Sequence, residues 1–120
     1  MRTLLMILAL ATGLSAMAQQ GHSGKTPAEK AERRTERMVK DLGLDAAQQE
    51  KVASIQTAYA KAMYDLRSVR EEDRQGREDY LRSSRDNGLQ QVLTADQYAK
   101  MQQLREQWKE KNDGEEEMAY

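Results

Sequence analysis

The sequence has no cysteine and no phenylalanine, and it contains one histidine, one proline and one tryptophan among 120 residues. Without cysteine, the chain can form no disulfide, no thiolate zinc site and no lipid-bearing cysteine. Its one imidazole, His22, lies in a glycine- and serine-containing segment that we predict to be mobile. No glycine-rich phosphate loop is present. We therefore expect no catalytic residue, no metal site and no cofactor, and we predict that the protein is not an enzyme.

Long apolar runs and an excess of charge of one sign are also missing. The longest apolar run, residues 4–11, is far shorter than the roughly 20 residues of a membrane-spanning helix, so no stable membrane insertion is expected. Charged residues make up 32% of the chain, but the formal net charge is only −1. Basic residues are interleaved with acidic ones and do not alternate with aromatic residues. We therefore expect no nucleic-acid partner.

The first residues have the three parts of a secretory signal peptide. Arg2 precedes the apolar run 4–11, and a small A-x-A pattern ends at Ala18. We predict that a signal peptide of residues 1–18 is cleaved after Ala18 and that the protein is exported. Residues 19–25 form the predicted mobile leader, and the remaining length is enough for one domain.

Three capping boxes predict the starts of three helices, because an N-cap oxygen and the side chain at N3 satisfy each other's backbone N–H groups. The pairs are Thr26 with Glu29, Asp45 with Gln48, and Thr94 with Gln97. Glycines at 43, 88 and 114 predict the helix ends, because they tolerate the left-handed conformation. The predicted helices cover 26–42, 46–86 and 94–111, and residues 112–120 form a predicted flexible acidic tail.

The apolar residues in each segment recur at helical spacing, so we predict an all-α fold. It has a short helix, a long helix with a bend allowed near Gly76, and a third helix that returns antiparallel after a turn at Gly88. In the first helix, the apolar arc is predicted to be Ala28, Ala31, Met38, Val39 and Leu42, with Lys30, Arg33, Arg34, Arg37 and Lys40 opposite. The third helix is expected to pack on the stripe between Val52 and Val69, or on Tyr80 and Leu81, through Tyr98, Met101, Leu104 and Trp108.

The long predicted helix changes from apolar to basic along one face after Val69. One interpretation is a solvated overhang whose charges pair at i,i+4 spacing. The other is a mixed basic and apolar surface that binds other proteins. The candidate residues of that surface are Met63, Leu66, Arg67, Arg70, Arg74, Arg77, Tyr80 and Leu81.

Two helix starts carry a repeated motif. Its residues are Leu44, Asp45 and Gln48 in the first copy, and Leu93, Thr94 and Gln97 in the second. Over residues 26–111 the chain therefore resembles the Spy/CpxP family, which has a duplicated LTxxQ motif. The first copy departs from that pattern with aspartate in place of threonine, and aspartate caps helices equally well.

This resemblance implies a periplasmic protein in an envelope stress response. It would form a thin curved dimer and hold unfolded or partly folded proteins without ATP. The resemblance equally allows a second function, in which the protein is a CpxP-like sensory or inhibitory partner of an envelope stress receptor. A purely structural coiled coil is disfavoured, because no apolar heptads continue beyond Val69. A chain of this size without phenylalanine or disulfides should bury little apolar surface, so we expect a two-fold homodimer, formed through the long helix.

Overall fold

The computed structural model describes residues 25–111 and residue 120. It contains four α-helices: α1 (Pro27–Leu42), α2 (Ala46–Asp65), α3 (Glu71–Val92) and α4 (Ala95–Lys111). Because no strand occurs in this described part of the chain, the fold is all-α, as the sequence predicts. The predicted signal peptide, residues 19–24 of the predicted leader and residues 112–119 of the predicted tail lie outside the described residues.

Three of the four helices begin at a predicted capping residue. The Oγ1 atom of Thr26 accepts from the backbone N–H of Glu29 over 3.2 Å at the start of α1. At α2, Asp45 and Gln48 form both bonds of a capping box, at 2.7 and 3.1 Å. At α4, Thr94 and Gln97 do the same, at 3.0 and 3.1 Å. Local sequence therefore determines where these helices start.

The predicted helix 46–86 is in fact two helices. A short 3-10 turn, Leu66–Ser68, follows α2, and the next two residues, Val69 and Arg70, are extended with ψ of 145° and 141°. We call residues 66–70 the corner. Gly76, where the sequence allows a bend, lies inside α3. The predicted three-helix order is therefore corrected to four helices.

The predicted turn at Gly88 was wrong, because α3 continues through this residue to Val92. Among the described glycines, only Gly43 has the positive φ of a left-handed cap, at 66°. Gly88 instead lies where α3 approaches α2: a Cβ atom at this position would be 3.3 Å from Cδ1 of Ile55. The glycine therefore permits close packing of two helices and does not end one.

One apolar cluster joins the C-terminal part of α1, the N-terminal part of α2, the C-terminal part of α3, and α4. Its buried members are Met38, Leu42, Leu44, Val52, Leu89, Leu93, Met101 and Tyr120, and Tyr98, Leu104 and Trp108 pack against it. α4 thus packs on α1 and α3. It does not lie along the whole stripe from Val52 to Val69 or on Tyr80 and Leu81. Because α3 runs on to Val92, α4 starts at the end of the molecule opposite the corner.

The buried face of α1 also differs from the predicted apolar arc. Arg34 and Thr35 are buried, whereas Ala28 is exposed. The hydroxyl of Thr35 donates to the carbonyl of Ala31 over 2.8 Å, which satisfies it inside the helix. Arg34 lies over the ring of Tyr59, 5.3 Å from its centroid, so its guanidinium has a favourable neighbour within the interface.

Tyr120 occupies the apolar cluster, unlike the flexible position predicted for it. Its side chain is 5% exposed, and its hydroxyl donates to Oδ2 of Asp41 near the end of α1. Burial raises the pKa of Tyr120 above its ordinary value. The hydrogen bond to Asp41 and the negative charge of that carboxylate raise it further, and the positive charge of Arg37 lowers it.

The two glycines of α3 should respond oppositely to substitution. Gly76 has open space where a Cβ would lie, so Gly76→Ala should raise the free energy of unfolding by about 0.5–1 kcal/mol through helix propensity. Gly88→Leu should lower it by about 1–3 kcal/mol, because the added side chain meets Ile55. Urea unfolding followed by circular dichroism measures both. A Gly88→Leu variant as stable as the Gly76→Ala variant would contradict the close approach of α3 to α2.

The docking of Tyr120 should weaken at alkaline pH. In the unfolded chain its phenol ionises near pH 10, and in the folded protein its pKa is higher. Its contribution to stability is therefore complete below pH 10 and is lost as the pH rises above 10. Urea unfolding of the wild type and of Tyr120→Phe, which has no ionising group at 120, should give stabilities that converge between pH 9 and pH 12. Equal pH dependence in both proteins would refute the buried phenol.

Candidate functional site

The two motif glutamines bind each other, although 49 positions separate them. Nε2 of Gln48 donates to Oε1 of Gln97 over 2.7 Å, and Nε2 of Gln97 donates back to Oε1 of Gln48 over 3.3 Å. Each Nε2 also donates to the last carbonyl of a helix: Gln48 to Val92 over 3.2 Å, and Gln97 to Leu42 over 3.3 Å. We call this pair the glutamine clamp.

Every hydrogen-bonding position of the two amides in the clamp is used. Besides the bonds above, each Oε1 accepts from the N–H of its own N-cap residue, Asp45 or Thr94. An amide has two donor hydrogens and an oxygen that accepts twice, so both side chains are fully satisfied. The clamp therefore joins two helix ends and two helix starts at one point.

The motif leucines support the clamp from the apolar side. Leu44 and Leu93 are 9% and 7% exposed, and both belong to the apolar cluster. The motif residues thus have capping, pairing and packing roles, which explains why each copy combines a leucine, a capping residue and a glutamine. The motif residues therefore stabilise the fold, and the grooves of the molecule are lined by other residues.

A chain of charged and aromatic contacts crosses all four helices beside the cluster. Tyr59 of α2 has Arg34 of α1 over its ring at 5.3 Å and Arg85 of α3 at 4.4 Å. Oδ1 of Asp86 then accepts from Nε of Arg85 and from Nη2 of Arg105 in α4, both at 3.0 Å. Because both arginine side chains are about nine-tenths buried, these ion pairs are less screened than surface pairs.

The eight residues predicted as a binding surface all lie near the corner, but they do not form one strip. Four of them line one groove, which we call the basic groove: Met63, Leu66, Arg67 and Arg74. Four line a second groove on the other side of the corner, which we call the apolar groove: Leu66, Arg77, Tyr80 and Leu81. Leu66 is shared and is buried between the two. Arg70 lines neither groove and lies at the exposed corner, 3.8 Å from Glu72.

The basic groove has a volume of about 440 Å³ and lies between the N-terminal half of α1 and the corner. Its described lining contains five basic residues and one acidic residue, Glu78. Three of the basic residues come from α1 and the two residues before it: Lys25, Lys30 and Arg34. The sequence shows a basic face on α1, but joining it to the corner requires the packing of α1 on α2, which helical periodicity alone does not give.

The groove combines charge with apolar surface. Arg67 stacks over the ring of Tyr64 at 4.5 Å, and Tyr64 is 51% exposed. Arg74 donates through Nη2 to the carbonyl of Val69 over 3.1 Å, and its buried Nε has no hydrogen-bond partner among the described residues. Met63 and Pro27 add apolar lining. Such a surface can attract carboxylates while it contacts apolar side chains.

Within residues 25–111, no three histidine, cysteine, aspartate or glutamate side chains are grouped so that they could hold a metal ion. None of the described helices is both long enough and apolar enough to cross a membrane.

The fold and the grooves define an all-helical protein with a clamped helix junction at one end and an open basic surface at the other. The chain belongs to the family described as a domain of unknown function, DUF4890, whose model matches residues 16–117. No curated protein and no solved structure matches the chain.

Removing one glutamine of the clamp should destabilise the fold strongly. Gln97→Ala removes bonds to Thr94, Leu42 and Gln48, so we expect the free energy of unfolding to fall by about 2–3 kcal/mol. Gln103→Ala, on the exposed side of the same helix, is the matched control and should change it by less than about 0.5 kcal/mol. Urea unfolding measures these values.

The pairing itself is tested by a double-mutant cycle with Gln48→Ala. If the two amides bind each other, the two substitutions should be non-additive by about 1 kcal/mol. Strictly additive losses would mean that each glutamine acts only as a separate cap.

Proposed function

We propose that this protein holds unfolded or partly folded proteins without ATP and without catalysing a reaction. The observation that carries the proposal is the basic groove, in which five cationic side chains lie beside apolar groups and the half-exposed ring of Tyr64. A surface of this kind suits chains that expose acidic and apolar residues together. Folded proteins bury most of their apolar residues, so unfolded chains are the ligands it favours.

The positive charge of the groove can attract acidic segments of a client over a distance. The described lining has one carboxylate, Glu78, and that carboxylate is 3.7 Å from the guanidinium of Arg82. The described lining therefore carries four more positive charges than negative ones. A positive surface accelerates encounter with acidic segments, and this effect weakens as salt screens it.

The shape and the side chains of the groove allow it to bind varied client sequences. Met63 can contact varied apolar side chains, since methionine adapts its shape at low cost. On the other side of the corner, Tyr80 is 72% exposed beside the apolar groove. Two shallow grooves separated by one buried leucine suit an extended, variable ligand better than a small molecule of fixed shape.

The location and assembly belong to the same proposal. The resemblance of the duplicated motif to the Spy/CpxP family, together with the signal peptide expected at residues 1–18, supports an exported, periplasmic protein that acts during envelope stress. The small apolar cluster supports a homodimer. In this proposal the clamp holds the helices, and the corner binds the client.

The test is the capture of an acidic, denatured client with and without the groove charges. The triple variant Lys25→Gln, Lys30→Gln and Arg67→Gln changes exposed lining residues. It should suppress client aggregation about threefold to tenfold less than the wild type at low salt, and the difference should shrink at high salt. Light scattering of the client without nucleotide measures it.

A matched control removes the same charge away from the groove. Lys40, Lys51 and Lys100 are equally exposed and do not line either groove, so replacing all three by glutamine should leave suppression near the wild-type level. No suppression by the wild type at several-fold molar excess would refute client holding. Capture of one folded receptor domain, without capture of unrelated unfolded proteins, would favour the regulatory function instead.

A further inference from the structure

We propose that the corner is a hinge through which two copies of the chain exchange their α3–α4 halves. In the exchanged dimer, α2 and α3 of each copy form one continuous helix. The clamp then forms twice, each time between Gln48 of one copy and Gln97 of the other. This inference rests on the homodimer of the proposed function and gives it a defined arrangement. Because Leu66 and Arg67 of the corner line the basic groove, client holding by that groove belongs to the closed form, and the two proposals are tested separately.

The backbone of the corner can straighten into a helix. From 46 to 92 the chain is helical except at Val69 and Arg70, whose ψ angles are 145° and 141°. Rotation of these two ψ angles toward −40° joins α2 and α3 into a helix about 70 Å long. Neither residue is glycine or proline, so both are compatible with a helix.

Local sequence encodes the corner weakly. α1, α2 and α4 begin at side-chain caps, but Arg70, at the start of α3, makes no capping hydrogen bond. The acidic first turn, Glu71 to Asp73, does favour a helix start through the helix dipole. Otherwise the closed corner is held by the local bond from Arg74 to the carbonyl of Val69 and by the burial of Leu66.

The placement of the clamp also favours the exchange. One half of the molecule is α1 with α2, the other is α3 with α4, and the corner is the described link between them. Two contacts cross between the halves: the clamp, and the approach of Gly88 to Ile55. The contacts of Asp86 with Arg85 and Arg105 lie within the α3–α4 half. An exchanged dimer therefore reproduces all of these contacts and alters the corner alone.

Charge around the corner does not oppose the exchange. Residues 65–74 contain four acidic and three basic side chains, so two copies of this segment brought side by side do not repel strongly. In the continuous helix, Arg67 and Glu71 become an i,i+4 pair. A second copy is thus a partner that the existing contacts already fit.

The absence of cysteine from the sequence makes the test direct. A Cβ at 88 would lie 3.5 Å from Cγ1 of Ile55, close to where a cysteine sulfur at 55 would be, so Ile55→Cys with Gly88→Cys can form a disulfide. In the closed monomer this bond is intramolecular. In the exchanged dimer two such bonds join the copies, and a non-reducing gel shows a covalent dimer.

We expect refolding and oxidation of the double-cysteine protein to give a 55–88 linked covalent dimer whose fraction rises with protein concentration. The single-cysteine variants control for random cross-links, which give 55–55 or 88–88 bonds. Only intramolecular bonds at every concentration would overturn the exchange. If sedimentation showed a dimer in that case, the homodimer proposal would survive and the exchange would not.

Two hinge variants in the double-cysteine protein test the mechanism. Glu71→Pro suits the first position of α3 but is incompatible with the interior of a continuous helix, so it should reduce the covalent dimer at least about tenfold. Val69→Ala, a better helix former, should raise it severalfold. A covalent dimer that neither substitution changes would contradict a hinge at the corner, and the alanine variant decides the matter if the proline variant does not fold.

Discussion

The glutamine clamp is the interaction on which the rest of the fold depends. Four helix termini meet where Gln48 and Gln97 pair, and each terminus would otherwise leave backbone groups without partners. Two amides satisfy these groups and one another in a space lined by Leu44 and Leu93. A single hydrogen bond contributes little net stability, but leaving several buried groups unpaired would cost much more. The geometry of the clamp therefore determines how α1 and α4 lie relative to α2 and α3.

Away from the clamp, the interior becomes progressively more polar. The apolar cluster is confined to the clamp end, whereas the α1–α2 interface continues with Gln56, Arg34 and Tyr59. Nε2 of Gln56 donates to the sulfur of Met38 over 3.3 Å, and the two arginines that stack on Tyr59 replace apolar packing with cation–π contacts. Because apolar burial is the main stabilising contribution in folding, the half of α1 beside the basic groove is held less firmly than the half beside the clamp.

Features encoded over a few residues were predictable from the sequence. The all-α class and the starts of α1, α2 and α4 follow from helical spacing and from capping boxes whose two partners are three positions apart. The division of the long helix was not predictable, since Val69 and Arg70 are ordinary helix residues and no side-chain cap marks the start of α3. Gly88 shows the same limit: its pattern is typical of a helix end, and its actual role depends on Ile55 in another helix.

The lining of the basic groove could be assembled from the sequence only in part, for the same reason. The eight residues near the corner were identified because they follow one another along a single segment. Lys25, Lys30 and Arg34 were not assigned to this surface, because they reach the groove only through the packing of α1 on α2. The pairing of the two motif glutamines was likewise hidden: each was recognised as a cap, and nothing local indicates that its amide also binds a partner 49 positions away.

The distance along the chain between the clamped residues also determines the order in which the molecule folds. Capping boxes close within three residues and form as fast as the helices themselves, on the microsecond scale or faster. The clamp can form only after a chain segment of about 50 residues has closed into a loop. Closing this loop costs conformational entropy, and local structure does not offset that cost. Closure of the clamp is therefore a late event in folding.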